Sequence, residues 1–259
     1  MKNKLLEPLV SILIANYNNK AFLKRSLSSC LNQKYKNLEI IIFDDCSTDG
    51  SQQELKKFKN IKVILNKKKK LIPYIDAMNA YIKMFKISKG DFIFLLDSDD
   101  IFYKKKISTI INLYFKNINV NFIQEVPKNF SYNKNNFFLS RWPYFSQTSR
   151  LSFRRKFFVD FINSRKNLSA DFKEVWLDFR LCAYAFFKRK SLLSHNQYLT
   201  HYYLDLFGNQ SKRYKKFSAT WIWRRYFSHL YVNYLIHNQK FNINLDFFLT
   251  KIIYKITKK

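Results

Sequence analysis

The sequence predicts an α/β fold built on a mostly parallel central sheet with helices on both faces. Short, continuous apolar runs alternate with segments of helical period, the pattern of parallel strands buried from both sides. Two of those runs end in carboxylates: residues 38–43 lead into Asp44-Asp45, and residues 92–96 lead into Asp97-Ser98-Asp99-Asp100. The composition is 47% hydrophobic and 19% aromatic, enough to fill a sizeable core and unlike a disordered chain.

The elements follow in order. Residues 9–15 form the first strand. Residues 22–32 are helical, with Leu23, Leu27 and Leu31 on one face. Residues 38–43 are the second strand, and residues 51–58 a short helix opened by a capping box of Ser51 and Glu54. Residues 61–65 are the third strand, followed by a basic loop at 67–70. A helix over 73–89 has Pro73 in its first turn and Lys89-Gly90 at its end. Residues 92–96 are the fourth strand and 104–115 the next helix.

From about Asn117 the rhythm changes. A short strand is expected at 121–126, helices at 150–163 and 172–188, and strands within 192–204. A helix over 213–237 is rich in Trp, Tyr and Arg. The last helix, 245–256, is amphipathic: Leu245, Phe248, Leu249, Ile252, Ile253 and Ile256 share a face that Lys251, Lys255 and Lys259 flank. The chain thus divides into 1–116, 117–210 and a helical extension, 211–259.

Lys and Arg number 47 against 18 Asp and Glu, a net charge of +29. Such a surface attracts nucleic acid, anionic membrane or phosphorylated substrates. The three glycines, Gly50, Gly90 and Gly208, form neither GxGxxG nor GxxxxGK[ST], which removes the main support for dinucleotide-binding and P-loop readings. Cys30, Cys46 and Cys182 fit no zinc pattern or disulfide framework, so a reducing cytoplasm is expected. The apolar run at 10–15 is too short for a secretory signal. No window approaches the ~18 apolar residues of a membrane span.

The two acidic loops carry the chemistry. Hard carboxylate oxygens suit Mg²⁺ or Mn²⁺, which bind one or two carboxylates plus substrate phosphates. Carboxyl ends of parallel strands are where such sheets place ligands. The second loop, Asp44 to Ser51, offers a carboxylate to a base or ribose, while Asp49 or Ser51 caps the following helix.

Residues 8–103 resemble the nucleotide-sugar-binding half of family 2 glycosyltransferases, which have the Rossmann-like GT-A fold. The resemblance rests on Val10-Ser11-Ile12-Leu13-Ile14-Ala15-Asn16-Tyr17-Asn18, the Asp44 to Ser51 loop, Asn66, Ala77 with Asn79, Gly90, and Asp97-Ser98-Asp99-Asp100. It implies that the backbone at Ile14-Ala15 and the Asp45 side chain hold the uracil or other base, with Asn16 also in the nucleotide-sugar site. It also places Asn79, Asp97 and Ser98 in the nucleotide-sugar site and a divalent cation, Mg²⁺ or Mn²⁺, on Asp99. The sequence departs from the family after Asn66, where residues 67–71 replace the usual glycines.

Family members carry an acidic catalytic base in the second half, often as a Glu-Asp pair at a helix start. Here that pair is absent; Glu174 and Asp178 stand i, i+4, expected on one helix face, and either is a candidate base. The family's Tyr-Arg-x-His element is also missing after His201, which favours a wall position for that histidine over metal binding.

The resemblance implies an inverting, metal-dependent transfer from a nucleotide-diphosphate sugar, most often a UDP sugar, to a glycan or lipid-linked acceptor. The setting it implies is bacterial surface polysaccharide, lipooligosaccharide or capsule synthesis in the cytoplasm, with an anionic membrane surface as a further partner. Trp221, Trp223, Arg224, Arg225, Tyr226 and Phe227 suit either that surface or the core. The alternative is a basic nucleic-acid-binding protein without enzymatic activity. It leaves the two acidic loops, which would repel a polyanion, unexplained, so no nucleic acid is expected.

Overall fold

A computed structural model describes residues 7–68, 72–129, 142–202, 215–236 and 245–258. The first half alternates as expected. Strands β1 (Val10–Asn16), β2 (Leu38–Asp44), β3 (Lys62–Leu65) and β4 (Phe92–Asp97) are joined by helices α1 (Lys20–Leu31), α2 (Ser51–Leu55) and α3 (Pro73–Ile87). A two-residue strand β5 (Ile101–Phe102) and helix α4 (Lys106–Lys116) follow. The second half contributes β6 (Phe122–Glu125), β7 (Leu151–Arg154), α5 (Arg155–Asn163), α6 (Leu177–Ala183), β8 (Leu192–His195), β9 (Thr200–His201), α7 (Ala219–Leu235) and α8 (Leu245–Thr257).

The seven-stranded sheet has the order β3-β2-β1-β4-β7-β6-β8. Within it only β7 runs against its neighbours. A second ribbon pairs β5 with β9, Ile101 opposite His201. Side chains alternate across each strand, so one sheet feeds two cores. Leu13, Ile41, Phe43, Ile93 and Leu95 face the helices α3, α5, α6 and α7. Val10, Ile12, Ile14, Ile40, Ile42 and Phe94 face α1 and α4. Each large apolar side chain so buried contributes roughly 1.5–3 kcal/mol.

Four expectations are corrected. Residues 151–154 are not helical: Leu151 and Phe153 turn into the core while Ser152 meets the Tyr114 hydroxyl at 3.2 Å, a period-two alternation that fills the gap between β4 and β6. The helix expected from residue 172 starts at Leu177 and continues as a π-helical turn, Tyr184–Lys188. Leu31 is exposed, and Cys30 takes the buried place beside Leu23 and Leu27. The capping box does not form. Ser51 is already inside α2, Gly50 takes the N-cap position at φ 89°, and Asp49 Oδ1 accepts from Ser51 N and Oγ. The other Asp49 oxygen accepts from Lys20 N, so one carboxylate serves the first turns of two helices. The remainders of the expected basic loop (69–70), of the strands in 192–204 and of the helix over 213–237 lie outside the described residues, as do Gly208 and Lys259.

Gly90 begins the approach to β4. A Cβ there would lie 2.5 Å from both Ser11 N and Ser11 Oγ, so only glycine lets the chain pass. Its N–H donates to Ser11 Oγ, and its carbonyl accepts from Arg155 Nε.

Candidate functional site

Strand order reverses at β1, with β2 on one side and β4 on the other, and the carboxyl ends beside such a switch point are where sheets of this kind bind ligands. Register places Asn16 opposite Asp44, and Ala15 opposite Asp97. The two acidic loops therefore meet on one edge of the sheet.

The adjacent aspartates of the first loop have different jobs. Asp44 is fully buried; its carboxylate accepts from Asn16 Nδ2 at 2.7 Å, Ser47 N at 3.0 Å and Gln52 Nε2 at 2.9 Å. Those bonds hold the loop's shape. Asp45 is half-buried, with its N–H given to Asn16 O and Oδ1 accepting from Asn66 Nδ2 at 2.7 Å. Asn66 Nδ2 also bonds Lys68 O, so Asn66 links Lys68, one of the residues that replace the family glycines, to the Asp45 carboxylate. The Ile14 side chain is spent in the core, and the Ala15 carbonyl accepts from Ser98 N at 3.1 Å. Asn16 Oδ1 is buried without a hydrogen-bond partner among the described residues. Asn79 is half-buried on α3, and its side chain makes no hydrogen bond to either loop among the described residues.

The second loop is held from three directions. Asp97 N donates to Ser149 Oγ, Ser98 Oγ accepts from Asn19 Nδ2, and Asp100 N closes back on Asp97 O at 3.0 Å. The Tyr81 hydroxyl stands 2.9 Å from Asp97 Oδ1 and 3.0 Å from Leu96 O. Burial pushes the Asp97 carboxyl well above the usual range, and the charges of Asp100, Asp99 and Asp178 push it further.

That influence of Asp178 brings the two halves of the chain together. Asp178 lies in the first turn of α6, half-buried, its Oδ1 2.7 Å from Phe179 N. Burial raises its pKa, and the Arg224 charge on α7 opposes the rise. Tyr202, next to β9, is raised by burial and by Asp97, Asp100, Asp99 and Asp178 together. Four carboxylates, two phenols and a guanidinium from distant parts of the chain are thus linked electrostatically.

Glu174 does not share a helix face with Asp178, contrary to expectation. It sits in the turn before α6, at φ 58° and 8% exposed, because the helix starts only at Leu177. His201 is exposed on the short β9.

Several supporting residues escaped sequence reasoning. Lys106 and Glu125 form an ion pair at 2.5 Å with both side chains buried. Lys106 Nζ also donates to Ser149 O and Thr200 Oγ1, and Glu125 Oε2 accepts from Leu199 N. This network ties β9, and the adjacent Tyr202, to the Ser149 turn that holds Asp97. A Lys in the first turn of a helix reads as solvent-facing, which is why the pair was not anticipated. Ser149 lies in a 3₁₀ turn with no sequence signature.

The donor set fits a hard divalent cation. Like charges crowd Asp97, Asp99 and Asp100, and a cation would relieve their repulsion. Among the described residues no three acidic, His or Cys side chains are grouped so as to hold a metal ion by themselves. Such a set suits an ion that completes its shell with substrate phosphates. A concavity of about 670 Å³ lies beside β5, lined by Ser29, Gln33, Lys34, Phe102 and Lys104 among others, and none of the acidic loop residues lines it.

Comparison with known proteins identifies the arrangement. Residues 11–192 match the model of Glycosyl transferase family 2. A 104-residue stretch is 42% identical to WfaP of Escherichia coli, described as a UDP-Glc:alpha-D-GlcNAc-diphosphoundecaprenol beta-1,3-glucosyltransferase; it covers 40% of each chain. Among solved structures, Staphylococcus aureus TarS 1–349 in complex with UDP superposes with a TM-score of 0.62 at 14% identity, over 95% of this chain and 69% of that one. The mannosyltransferase PcManGT of Pyrobaculum calidifontis, in complex with GDP-Man and Mn²⁺, gives 0.61 at 13% identity, over 98% and 71%. The fold is GT-A, as the sequence resemblance implied.

Proposed function

The chain belongs to glycosyl transferase family 2, and from that membership we propose that it transfers a sugar from a UDP sugar to a hydroxyl of a lipid-linked glycan, with inversion. What supports the proposal is that the charge of Asp178, from the second half, acts on Asp97 of the first half and on Tyr202 beside β9. WfaP's name, with its UDP-glucose donor and diphosphoundecaprenol acceptor, and the UDP bound by TarS support the choice of nucleotide and acceptor class.

In this reading Asp45 and the backbone at Ile14-Ala15 receive the base, beside Asn16. Asp97, Ser98 and Asn79 line the ribose, diphosphate and sugar. Asp99 holds Mg²⁺ or Mn²⁺, which when bound neutralises charge on the leaving diphosphate. Asp178 takes the proton from the acceptor hydroxyl. As that oxygen bonds to the anomeric carbon, the bond from the carbon to the diphosphate oxygen breaks on the opposite face, and the nucleoside diphosphate leaves. The raised pKa of Asp178 suits a base that must be ionised yet accept a proton. Glu174, buried in its turn, is the second candidate base. The setting is surface polysaccharide, lipooligosaccharide or capsule synthesis on the cytoplasmic side, which the three free cysteines fit.

The test is transfer by Asp178→Asn and Glu174→Gln. Loss of product in the first with UDP binding retained supports the assignment. Full transfer by Asp178→Asn would overturn it.

A further inference from the structure

Helix α8 is amphipathic in the reverse of the usual sense. Its polar and aromatic side faces the protein. Asp246 accepts from Arg225 Nε and lies 2.6 Å from His229 Nε2, Thr257 Oγ1 accepts from Trp223 Nε1, and Tyr254 packs on Tyr226 and Phe227. Thr250 is the buried residue of the helix. The aliphatic side faces outward: Leu245, Phe248, Leu249, Ile252 and Ile256 are between 40% and 72% exposed. At 100° per residue these five fall within one narrow stripe, which no described element covers.

The charges around the stripe point to its occupant. Lys251 and Lys255 are exposed on α8 and Lys258 just after it, and the helix's acidic residue, Asp246, is turned inward onto Arg225. The protein as a whole carries +29. No described helix is long and apolar enough to cross a membrane. An apolar stripe beside lysines, on a cationic body, is the pattern of a helix lying flat in the headgroup region of an anionic bilayer. The aromatic residues of α7 do not form this face: Trp223, Tyr226 and Phe227 are occupied by α8.

We propose that α8 docks the protein on an anionic membrane surface by burying Leu245, Phe248, Leu249, Ile252 and Ile256 among the lipid headgroups. The docked helix packs directly on α7, which also carries Arg224 beside Asp178. The docking itself does not depend on the transfer reaction.

Co-sedimentation with vesicles of phosphatidylglycerol and phosphatidylcholine tests the proposal, with pure phosphatidylcholine as control. Wild type should partition to the anionic vesicles, and Ile252→Glu/Ile256→Glu should lose about tenfold or more of that partitioning. Lys251→Gln/Lys255→Gln should weaken it and reduce its salt sensitivity. The added indole of Phe248→Trp should shift to the blue on binding, which attraction of the cationic body alone would not produce. Because these side chains face solvent, the variants should melt like wild type. Unchanged partitioning of the double-Glu variant, or no blue shift, would overturn the proposal, as would absence of binding at low salt. So would a wild-type dimer that the double-Glu variant dissolves without changing vesicle binding, which would assign the stripe to a second copy of the chain.

Discussion

Asp178 stands where burial and the Arg224 charge act on its carboxyl in opposite directions, and burial wins. As the proposed base it would work only when ionised, so activity should rise with pH through its pKa. The acid limb of the rate profile should therefore have its midpoint above about 4, the ordinary Asp value. Asp178→Asn should lower kcat about 10²–10⁴-fold with little change in UDP affinity, measured by initial rates and titration. Lys106 shows a different dependence. With both members of the Lys106–Glu125 pair buried, Lys106→Met would strand a carboxylate and should cost about 3–5 kcal/mol in urea denaturation. Replacing both partners, Lys106→Met with Glu125→Gln, should recover much of that loss. Equal losses for the single and double variants would refute the pairing argument.

At the scale of elements, the sheet was legible because strands buried on both faces are spelled as apolar runs. β1, β2 and β4 could hardly be missed. β7 was missed because four alternating residues between Arg150 and Arg155 carry too little period to separate from the helix that follows. The two acidic loops were legible as strand-end carboxylates. The division of labour between Asp44 and Asp45 was not, since it depends on Asn16, Ser47 and Gln52 reaching only the first. Glu174 was misplaced because spacing alone does not reveal where a helix begins.

Two element-scale predictions follow from contacts of this kind. Gly90→Ala would press a methyl against the Ser11 backbone and should destabilise the fold by about 2 kcal/mol, read from a denaturant midpoint. At the α7–α8 junction, burial would raise the Asp246 pKa, but hydrogen bonds from His229 and Arg225 outweigh it and hold the folded value below normal. The ionised form is thus favoured in the fold. Its stabilisation is complete above the unfolded pKa of about 3.9 and is lost as pH falls through the folded value. Acid titration of helix docking, followed by tryptophan fluorescence with Trp223 at the junction, should show that loss, and Asp246→Asn should abolish the dependence.

Across the whole molecule, the first half supplies the two acidic loops, the second supplies Asp178 and Tyr202, and the buried Lys106–Glu125 pair joins the two halves. A chain carrying +29 concentrates negative charge at one edge of its sheet. On the proposed reading that edge takes a cation and a phosphorylated ligand together, and metal dependence of ligand binding is its central claim. Calorimetric titration with UDP, with and without Mn²⁺, on wild type and Asp99→Ala tests it most directly. The account predicts binding that Mn²⁺ strengthens in wild type and that the variant loses. UDP binding indifferent to Mn²⁺ and unchanged by Asp99→Ala would contradict it.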